Sequence, residues 1–223
     1  IFNKDISKIK VAMSGAGAAA VSIAEHLVAL GVNRNNIFAA DSKGVLYTGR
    51  DEMKSIYHEV LYRDTDARKL ADIMDGADLF IGVSVKGLVS KDMIRSMAKH
   101  PIIFPMANPD PEITYEEVKS VCPDSVIGTG RSDYPNQVNN VLGFPFIFRG
   151  ALDARATTIN EQMKRAAAKA LAELAKEPVP DSVKKAYNID NLSFGKDYII
   201  PKPFDPRAFI KVSSAVFEAA ITS

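Results

Sequence analysis

The stretch KIKVAMSGAGAAAVSIAEHLVAL, residues 8–30, decides the fold. It opens with the short apolar run IKVAM (residues 9–13), which has the composition of a buried strand, and then turns through two glycines. Apolar residues at helical spacing follow the turn: Val21, Ala24, Leu27 and Val28. The pattern predicts a strand, a glycine turn and a helix. Gly15, Gly17 and Ala20 take the three small positions of the G-x-G-x-x-A dinucleotide fingerprint.

The surroundings of this fingerprint favour a dinucleotide site over a turn that serves packing alone. Gly15 allows a tight turn, and Gly17 lets the backbone approach a pyrophosphate that faces the positive end of the helix dipole. A second apolar run, residues 36–40, ends at Asp41, where an acidic side chain would hold a ribose hydroxyl. Lys43 lies beside it, and a cation there can accommodate a 2′-phosphate, so the choice between NAD and NADP stays open.

Composition excludes several classes of protein. The 223 residues carry a formal net charge of +1, which gives no reason to expect nucleic acid or an anionic membrane as a partner. No run approaches the roughly 18 apolar residues of a membrane span. The single cysteine excludes an internal disulfide and favours a reducing compartment, so we expect a cytoplasmic protein. Residues 1–5 show neither an initiator methionine nor a signal peptide, so we expect a longer native chain.

Further apolar runs predict the rest of a parallel sheet. Residues 78–83, 102–106 and 125–128 are apolar on both faces, as strands between two layers of helices are. Ligands of such sheets bind beyond the carboxyl ends of the strands, so the loop that starts at Ser84 should face the cofactor. The next such loop contains two prolines. Its Asn108 either merely tolerates a turn or donates an amide N–H to a substrate or nicotinamide carbonyl.

Helices are predicted between and beyond these strands, including one over residues 53–62 with His58 on its solvated face and a long one over residues 157–176. Cap signals place other helix starts at Thr65–Asp66, Ser90, Thr114 with Glu117, and Asp205 with Pro206. The predicted fold class is α/β, a doubly wound, Rossmann-like, mostly parallel sheet with additional C-terminal helices. We assign residues 1–150 to the dinucleotide-binding domain and residues 151–223 to its helical extension.

The most unusual stretch is GTGRSDYPNQVNN, residues 128–140, a long polar loop followed by the apolar VLGFPF. Such loops are uncommon unless functional, and the arginine and asparagines of this one suit the binding of carboxylates and carbonyls. Four further motifs accompany it: GAGAA (15–19), DSKG (41–44), GVS (82–84) and NPDPE (108–112). With these motifs the sequence, from about residue 8 to its end, resembles the NAD(P)-binding domain of the malic enzymes, especially the bacterial type.

The resemblance implies an activity and a set of site residues. Malic enzymes oxidise malate with NAD or NADP and decarboxylate the resulting oxaloacetate to pyruvate, using Mg²⁺ or Mn²⁺, and the resemblance also implies a homodimer. The implied cofactor-binding residues are Gly15, Ala16, Gly17, Ala18, Ala19, Asp41, Ser42, Lys43, Ser84, Val85 and Asn108. The implied substrate-binding residues are Asn108, Asn139 and Asn140.

One part of the family pattern is missing from this chain. Malic enzymes carry their catalytic tyrosine, catalytic lysine and metal-binding acids in a preceding domain. Neither Asp64 with Asp66 nor Asp110 with Glu112 has a third metal ligand at a useful spacing, and Lys202, between two prolines, is interpreted as a structural surface residue. We therefore assign no catalytic or metal-binding residue. The chain alone is expected to be inactive, with its C-terminal helices packing on the missing domain.

Two alternatives stay open at this point. The missing base and metal ligands would also suit a non-catalytic NAD(P)-binding module that senses redox state. A related Rossmann dehydrogenase, for example one acting on amino acids, is a further alternative, although no catalytic lysine precedes the glycine turn in this chain.

Overall fold

The computed structural model describes residues 1–50 and 56–223, which form two compact units, residues 1–130 and 131–223. The division precedes the boundary predicted at residue 150. Residues 131–150 group with the C-terminal segments because the helix that starts at Phe144 packs on the last helix of the chain. The long polar loop thus belongs almost entirely to the second unit.

The first unit is organised around a sheet whose strands are β1 (Val11–Ser14), β2 (Ile37–Asp41), β3 (Gly44–Val45), β4 (Leu79–Gly82), β5 (Ile102–Pro105) and β6 (Val126–Ile127). Within the described residues their order is β3-β2-β1-β4-β5-β6. All neighbours pair in parallel except β2 and β3, which are antiparallel. The predicted mostly parallel, doubly wound sheet is confirmed.

Both faces of this sheet are covered, as the continuous apolar runs predict. Helix α1 (Ala18–Ala29) covers one face. Shorter helices cover the other: α2 (Leu70–Met74), α3 (Lys91–Arg95) and α4 (Tyr115–Val121). Because side chains alternate along a strand, Val11 and Met13 pack in the cluster of α1 while Ala12 packs in the other.

Local cap chemistry accounts for the starts of α3 and α4. The Ser90 hydroxyl accepts a hydrogen bond from the Met93 N–H at 3.3 Å, and Thr114 and Glu117 form a reciprocal capping box, so both predicted caps are confirmed. The start predicted at Thr65 and Asp66 is wrong. Helix α2 begins at Leu70, because Asp72 in its first turn accepts the N–H groups that precede the helix.

The second unit, residues 131–223, is helical, with α5 (Phe144–Asp153), α6 (Glu161–Leu174), α7 (Asp181–Ala186) and α8 (Arg207–Ile221). Helix α8 packs on α5 and α6 around Met163 and Val212. At Gly150 two helices approach closely, since a Cβ there would lie 2.5 Å from the Ser213 carbonyl oxygen. The predicted additional C-terminal helices are confirmed, and none of the described helices is long and apolar enough to cross a membrane.

Several predicted boundaries differ from those found. Helix α6 begins at Glu161 rather than residue 157, because the Asn160 side chain accepts the Met163 N–H at 3.0 Å and caps it. Pro206 is the N-cap of α8, although Asp205 accepts the Arg207 N–H at 3.1 Å. The helix predicted over residues 53–62 lies partly outside the described residues, and its described part is a 3₁₀ helix, Ile56–Leu61. The predicted solvated position of the His58 side chain lies outside what the structure describes.

Candidate dinucleotide-binding site

The turn after β1 has the geometry that a pyrophosphate requires. Gly15 has a φ of +110°, its N–H donates to the Ala40 carbonyl at 2.8 Å, and a Cβ there would lie 2.6 Å from the Val83 oxygen. Only glycine fits between the flanking strands in this conformation. A Cβ on Gly17 would meet no atom within 4 Å, so there is room beside the first N–H groups of α1. The turn therefore fits a bound dinucleotide.

The other residues of the GAGAA motif lie where the fingerprint predicts. Ala16 is half-buried in the turn, and Ala18 and Ala19 are exposed on the first turn of α1. Ala20 is fully buried against the sheet, which lets the helix approach β1 closely. The exposed backbone of residues 17–19 is thus presented at the carboxyl end of β1.

Asp41 ends β2, as predicted, but its carboxylate already has partners. Arg50 Nη2 lies 2.8 Å from Asp41 Oδ1 and 3.1 Å from Oδ2, and the Lys43 backbone N–H donates to Oδ1 at 2.8 Å. The Arg50 and Asp41 side chains are only 9% and 14% exposed. Arg50 Nη1 also donates to the carbonyls of Gly44 and Val45 at 3.4 and 3.3 Å, so the guanidinium is anchored on both sides of the turn.

Sequence reasoning missed Arg50. The antiparallel β2–β3 turn brings it back to Asp41 across nine positions of sequence, and a lone arginine at that distance carries no local signal. Ser42 and Lys43 are exposed in the same turn. A buried cation therefore compensates the acid that the sequence assigned to the ribose.

A second buried carboxylate joins the loops that follow β4 and β5. Glu112 is fully buried, and its Oε1 accepts hydrogen bonds from the Ser84 N–H at 2.8 Å and the Ser84 hydroxyl at 3.1 Å. Its Oε2 accepts from the Ala107 N–H at 3.1 Å. The carboxylate packs so closely on Gly82 that no Cβ would fit there. Sequence reasoning considered Glu112 only as a metal-ligand partner of Asp110, which is exposed and pairs with Lys86 instead.

The hydroxyl of Ser84 extends this contact to β1. Its Oγ lies 2.8 Å from the Oγ of Ser14, the last residue of β1. A hydroxyl carries one proton, so Ser84 donates to the carboxylate and accepts from Ser14. The chain Ser14–Ser84–Glu112 therefore crosses the carboxyl ends of β1 and β4, where the strand order reverses and open α/β sheets bind their ligands.

The remaining predicted residues of the first unit lie on the same edge of the sheet. Val85 follows Ser84 and is 63% exposed. Asn108 follows Ala107 directly and is exposed, and its peptide bond to Pro109 is cis. Glu112 thus hydrogen-bonds to Ser84 and Ala107, the residues that directly precede the exposed Val85 and Asn108.

Asn139 and Asn140 belong to the second unit, where both are exposed. The Asn139 amide oxygen accepts the Val141 N–H at 3.0 Å and caps a 3₁₀ helix, Asn140–Leu142. Asn136 in the same polar loop is only 3% exposed. Its amide donates to the Lys196 carbonyl at 2.7 Å and accepts the Ile199 N–H at 2.8 Å, so this asparagine stabilises the backbone of the second unit.

The interpretation of Lys202 as a surface residue is wrong. Its side chain is 8% exposed, its Nζ lies 5.2 Å from the centroid of the Tyr187 ring, and burial lowers the pKa of its ammonium group. A lysine in an irregular segment between prolines has no periodicity from which its burial could be predicted. The cation is held against an aromatic face, a favourable contact for it.

Comparison with known proteins decides the family. The family model for the NAD-binding domain of malic enzymes matches residues 1–192. The chain belongs to the malic enzyme family. A probable NADP-dependent malic enzyme of Rickettsia prowazekii is 55% identical over 221 residues, which are 99% of this chain and 29% of that protein. An NAD-dependent malic enzyme of Rhizobium meliloti is 47% identical over 220 residues, with the same shares.

A solved malic enzyme structure has the same fold. The crystal structure of malic enzyme from Pyrococcus horikoshii matches with a TM-score of 0.86 at 35% identity, covering 100% of this chain and 50% of that one. The chain therefore spans 29% of the two relatives and half of the solved protein. It is the NAD(P)-binding domain of a malic enzyme, and the resemblance stated from its motifs is confirmed.

The divalent metal of the malic enzymes does not fit the described residues of this domain. Among the described side chains, those of residues 1–50 and 59–223, no group of three histidine, cysteine, aspartate or glutamate residues could hold a metal ion. Glu112 is engaged by three hydrogen bonds and Asp110 by Lys86. No chemical step through a metal is derived from this part of the chain.

Proposed function

We propose that this chain binds NAD(P) for a longer protein that oxidises malate and decarboxylates the product to pyruvate and CO₂, a malate dehydrogenase of the oxaloacetate-decarboxylating type. The observation that carries the proposal is the turn at Gly15 and Gly17, with its room beside the N-terminus of α1. The relatives along the whole chain are named malic enzymes, which supports the substrate. Neither the redox-sensing module nor an amino acid dehydrogenase has comparable support.

The proposed roles follow from the position of each residue. Gly15 lets the chain turn at the pyrophosphate, and the backbone N–H groups of residues 16–19 hold it. Asp41, Ser42 and Lys43 form the end of the site that receives the adenosine ribose. The dinucleotide passes Ser84, Val85 and Asn108 along the sheet edge. Its nicotinamide, when bound, accepts a hydride. In the first unit the amide of Asn108, and in the second unit the amides of Asn139 and Asn140, are each proposed to bind malate or pyruvate without adding charge.

Further parts of the proposal concern the rest of the protein. The base and the ligands for Mg²⁺ or Mn²⁺ would come from outside this chain, and the second unit would pack on the domain that supplies them. The exposed apolar side chains of α5 and α8 support such packing, and we also propose a homodimer. The single cysteine supports an assignment to the cytoplasm. No membrane or nucleic-acid partner is proposed.

We further propose that NADP is the preferred cofactor. In an NAD site the acid after the second strand accepts the ribose hydroxyls and would repel a 2′-phosphate. Arg50 compensates the charge of Asp41 here, and Lys43 is exposed in the adjacent turn. Both features lower the electrostatic cost of a phosphorylated ribose. The Rickettsia prowazekii relative, named NADP-dependent, supports the same choice, although the Rhizobium meliloti relative is named NAD-dependent.

The test is an assay of the full-length protein with malate, Mn²⁺ and each cofactor in turn, following NAD(P)H formation and pyruvate release. We expect malate-dependent reduction with a higher kcat/KM for NADP than for NAD. The absence of malate-dependent reduction with either cofactor would refute the activity. A preference for NAD in the wild-type protein would refute only the proposed cofactor choice.

A further inference from the structure

We propose that Glu112 is a positioning residue, which holds the loops after β4 and β5 in place for the nicotinamide half of the cofactor. The inference rests on the proposed function, because it assumes a dinucleotide at the sheet edge. It assigns to Glu112 a role that is neither metal binding nor proton transfer. Its carboxylate touches the two loops rather than the ligand.

The Glu112 carboxylate is buried at a free-energy cost that its hydrogen bonds must offset. A carboxylate removed from water is strongly destabilising unless hydrogen bonds replace its hydration. Glu112 is fully buried, and both of its oxygens accept hydrogen bonds, from the Ser84 N–H and hydroxyl on one side and the Ala107 N–H on the other. The three donors come from two separate loops, so the carboxylate fixes the distance between these loops.

The donors to Glu112 lie in the loops at the ligand-binding edge of the sheet. Ser84 is the second residue after β4, and Ala107 immediately precedes Asn108 in the loop after β5. The two loops follow the carboxyl ends of β4 and β5, which are neighbouring parallel strands. Through Ser84 the contact reaches Ser14 at the end of β1, so three adjacent strands are tied at the edge where ligands bind. The hydrogen bonds of Glu112 therefore hold the backbone of two loops at the ligand-binding edge, in addition to their contribution to the buried core.

Glu112 also packs closely on β4. The Glu112 carboxyl occupies the space that a side chain at Gly82 would need. Val89 N–H donates to the Glu112 carbonyl at 3.0 Å, and Gly87 N–H donates to the Pro111 carbonyl at 3.2 Å. The segment that carries the carboxylate is thus itself pinned to the loop after β4. Glu112 has little freedom to follow a loop that moves.

The substitution Glu112→Gln keeps the side-chain volume but removes one acceptor oxygen and the negative charge. A glutamine offers one acceptor oxygen and one NH₂ group, so the N–H groups of Ser84 and Ala107 cannot both keep an acceptor. One of the two loops therefore loses its hydrogen bond to the side chain of residue 112, while the volume of that side chain is almost unchanged. Asp110→Asn is the matched control, since it makes the same chemical change in the same loop at an exposed side chain.

The experiment measures ligand affinity of the full-length protein by fluorescence or calorimetric titration with NADP⁺ and with 2′,5′-ADP. The latter lacks the nicotinamide half of the cofactor, which is the half that the proposal places at the loops of Ser84 and Asn108. For Glu112→Gln we expect Kd for NADP⁺ to rise about tenfold, with Kd for 2′,5′-ADP changed by less than about twofold. Asp110→Asn should leave both values unchanged.

Ser84→Ala provides a second variant if Glu112→Gln folds poorly. It removes one of the three donors and keeps both backbone bonds, so we expect the same pattern with a smaller rise in Kd for NADP⁺, about threefold. An unchanged Kd for NADP⁺ in folded Glu112→Gln, or equal losses for the two ligands, would overturn the positioning role. Failure of the wild-type protein to bind NADP⁺ or NAD⁺ would instead refute the proposed function itself.

Discussion

The two units of this chain differ in what they do with their apolar side chains. The first unit buries a sheet on both faces, and its large apolar residues lie mainly in two clusters. The second unit exposes large apolar side chains along α5 and α8: Phe144, Phe148, Leu152, Phe209, Ile210, Phe217 and Ile221. Proteins that act alone rarely expose so many together. The difference teaches that the first unit completes its own core, whereas the second has a surface suited to being covered.

The buried polar groups of the two units also have different structural roles. Glu112 in the first unit ties two loops at the edge where a cofactor binds, and its partners precede exposed candidate ligand residues. Asn136 in the second unit ties the polar loop to residues 196–199. Both side chains are buried, and both hold backbone groups by hydrogen bonds. Glu112 does so at the proposed cofactor edge, whereas Asn136 does so in the loop that carries the exposed candidate residues Asn139 and Asn140. Polar content alone therefore does not separate the residues of a loop that bind a ligand from those that hold its backbone.

The largest effect should come from the first unit, with Gly15→Ala. The new Cβ would face the Val83 oxygen at 2.6 Å while the backbone holds φ at +110°, and strain and overpacking together should lower the free energy of unfolding by about 3 kcal/mol. Urea unfolding of the purified chain measures it. Gly17→Ala is the control and should change stability by less than about 1 kcal/mol, while weakening NADP⁺ binding. Equal destabilisation by the two variants would contradict this account of the turn.

In the second unit Asn136→Ala should destabilise without affecting the cofactor. It leaves the Lys196 carbonyl and the Ile199 N–H without their partner, which should cost about 2 kcal/mol in urea unfolding. The affinity for NADP⁺ should stay within about twofold of wild type. The counterpart is the exposed Asn140, whose replacement by alanine should leave stability unchanged and raise the KM for malate in the full-length protein. The two assignments would be contradicted if Asn136→Ala changed ligand binding and Asn140→Ala changed stability.

Gly150→Ala tests close packing in the second unit where no strained backbone is involved. Its Cβ would lie 2.5 Å from the Ser213 oxygen and 2.7 Å from the Val216 Cβ, but alanine favours a helix, so a net loss of about 1 kcal/mol is expected. Thermal unfolding monitored by circular dichroism detects this change. Gly143→Ala, whose Cβ would meet its nearest atom at 3.9 Å, should be close to neutral. A loss at Gly150 as large as that at Gly15 would weaken the distinction between strain and crowding.

The smallest effect on stability is expected for Leu152→Lys. Leu152 is 73% exposed, so the isolated chain should keep its stability within about 0.5 kcal/mol. In the full-length protein the added charge should weaken packing or self-association, which sedimentation velocity and thermal unfolding would report. Leu30→Lys, at a 40% exposed position of the first unit, is the control and should change neither measurement. If the two full-length variants showed the same self-association and thermal stability, the exposed apolar surface of the second unit would have no special role in packing.

The sequence by itself determined the elements whose signals are local. The G-x-G-x-x-A spacing, the apolar runs and the caps at Ser90 and Thr114 each depend on residues a few positions apart, so strand, turn and helix could be predicted from them. The loop at residues 128–140 and its companion motifs identified the family. The starts of α2 at Leu70 and of α6 at Glu161 lie several residues after the predicted ones, although both helices have side-chain caps close to their first residue.

Only the tertiary structure decided which polar groups meet. Arg50 reaches Asp41 through a β-turn, Glu112 reaches Ser84 across 28 positions, and Asn136 reaches Ile199 across 63. The free energy of such contacts comes from burial and from donors supplied by distant segments, and neither leaves a pattern in the residues nearby. For the same reason Lys202 could be misread as a surface residue. Local spacing thus predicts the framework, and the folded chain decides which groups position a ligand.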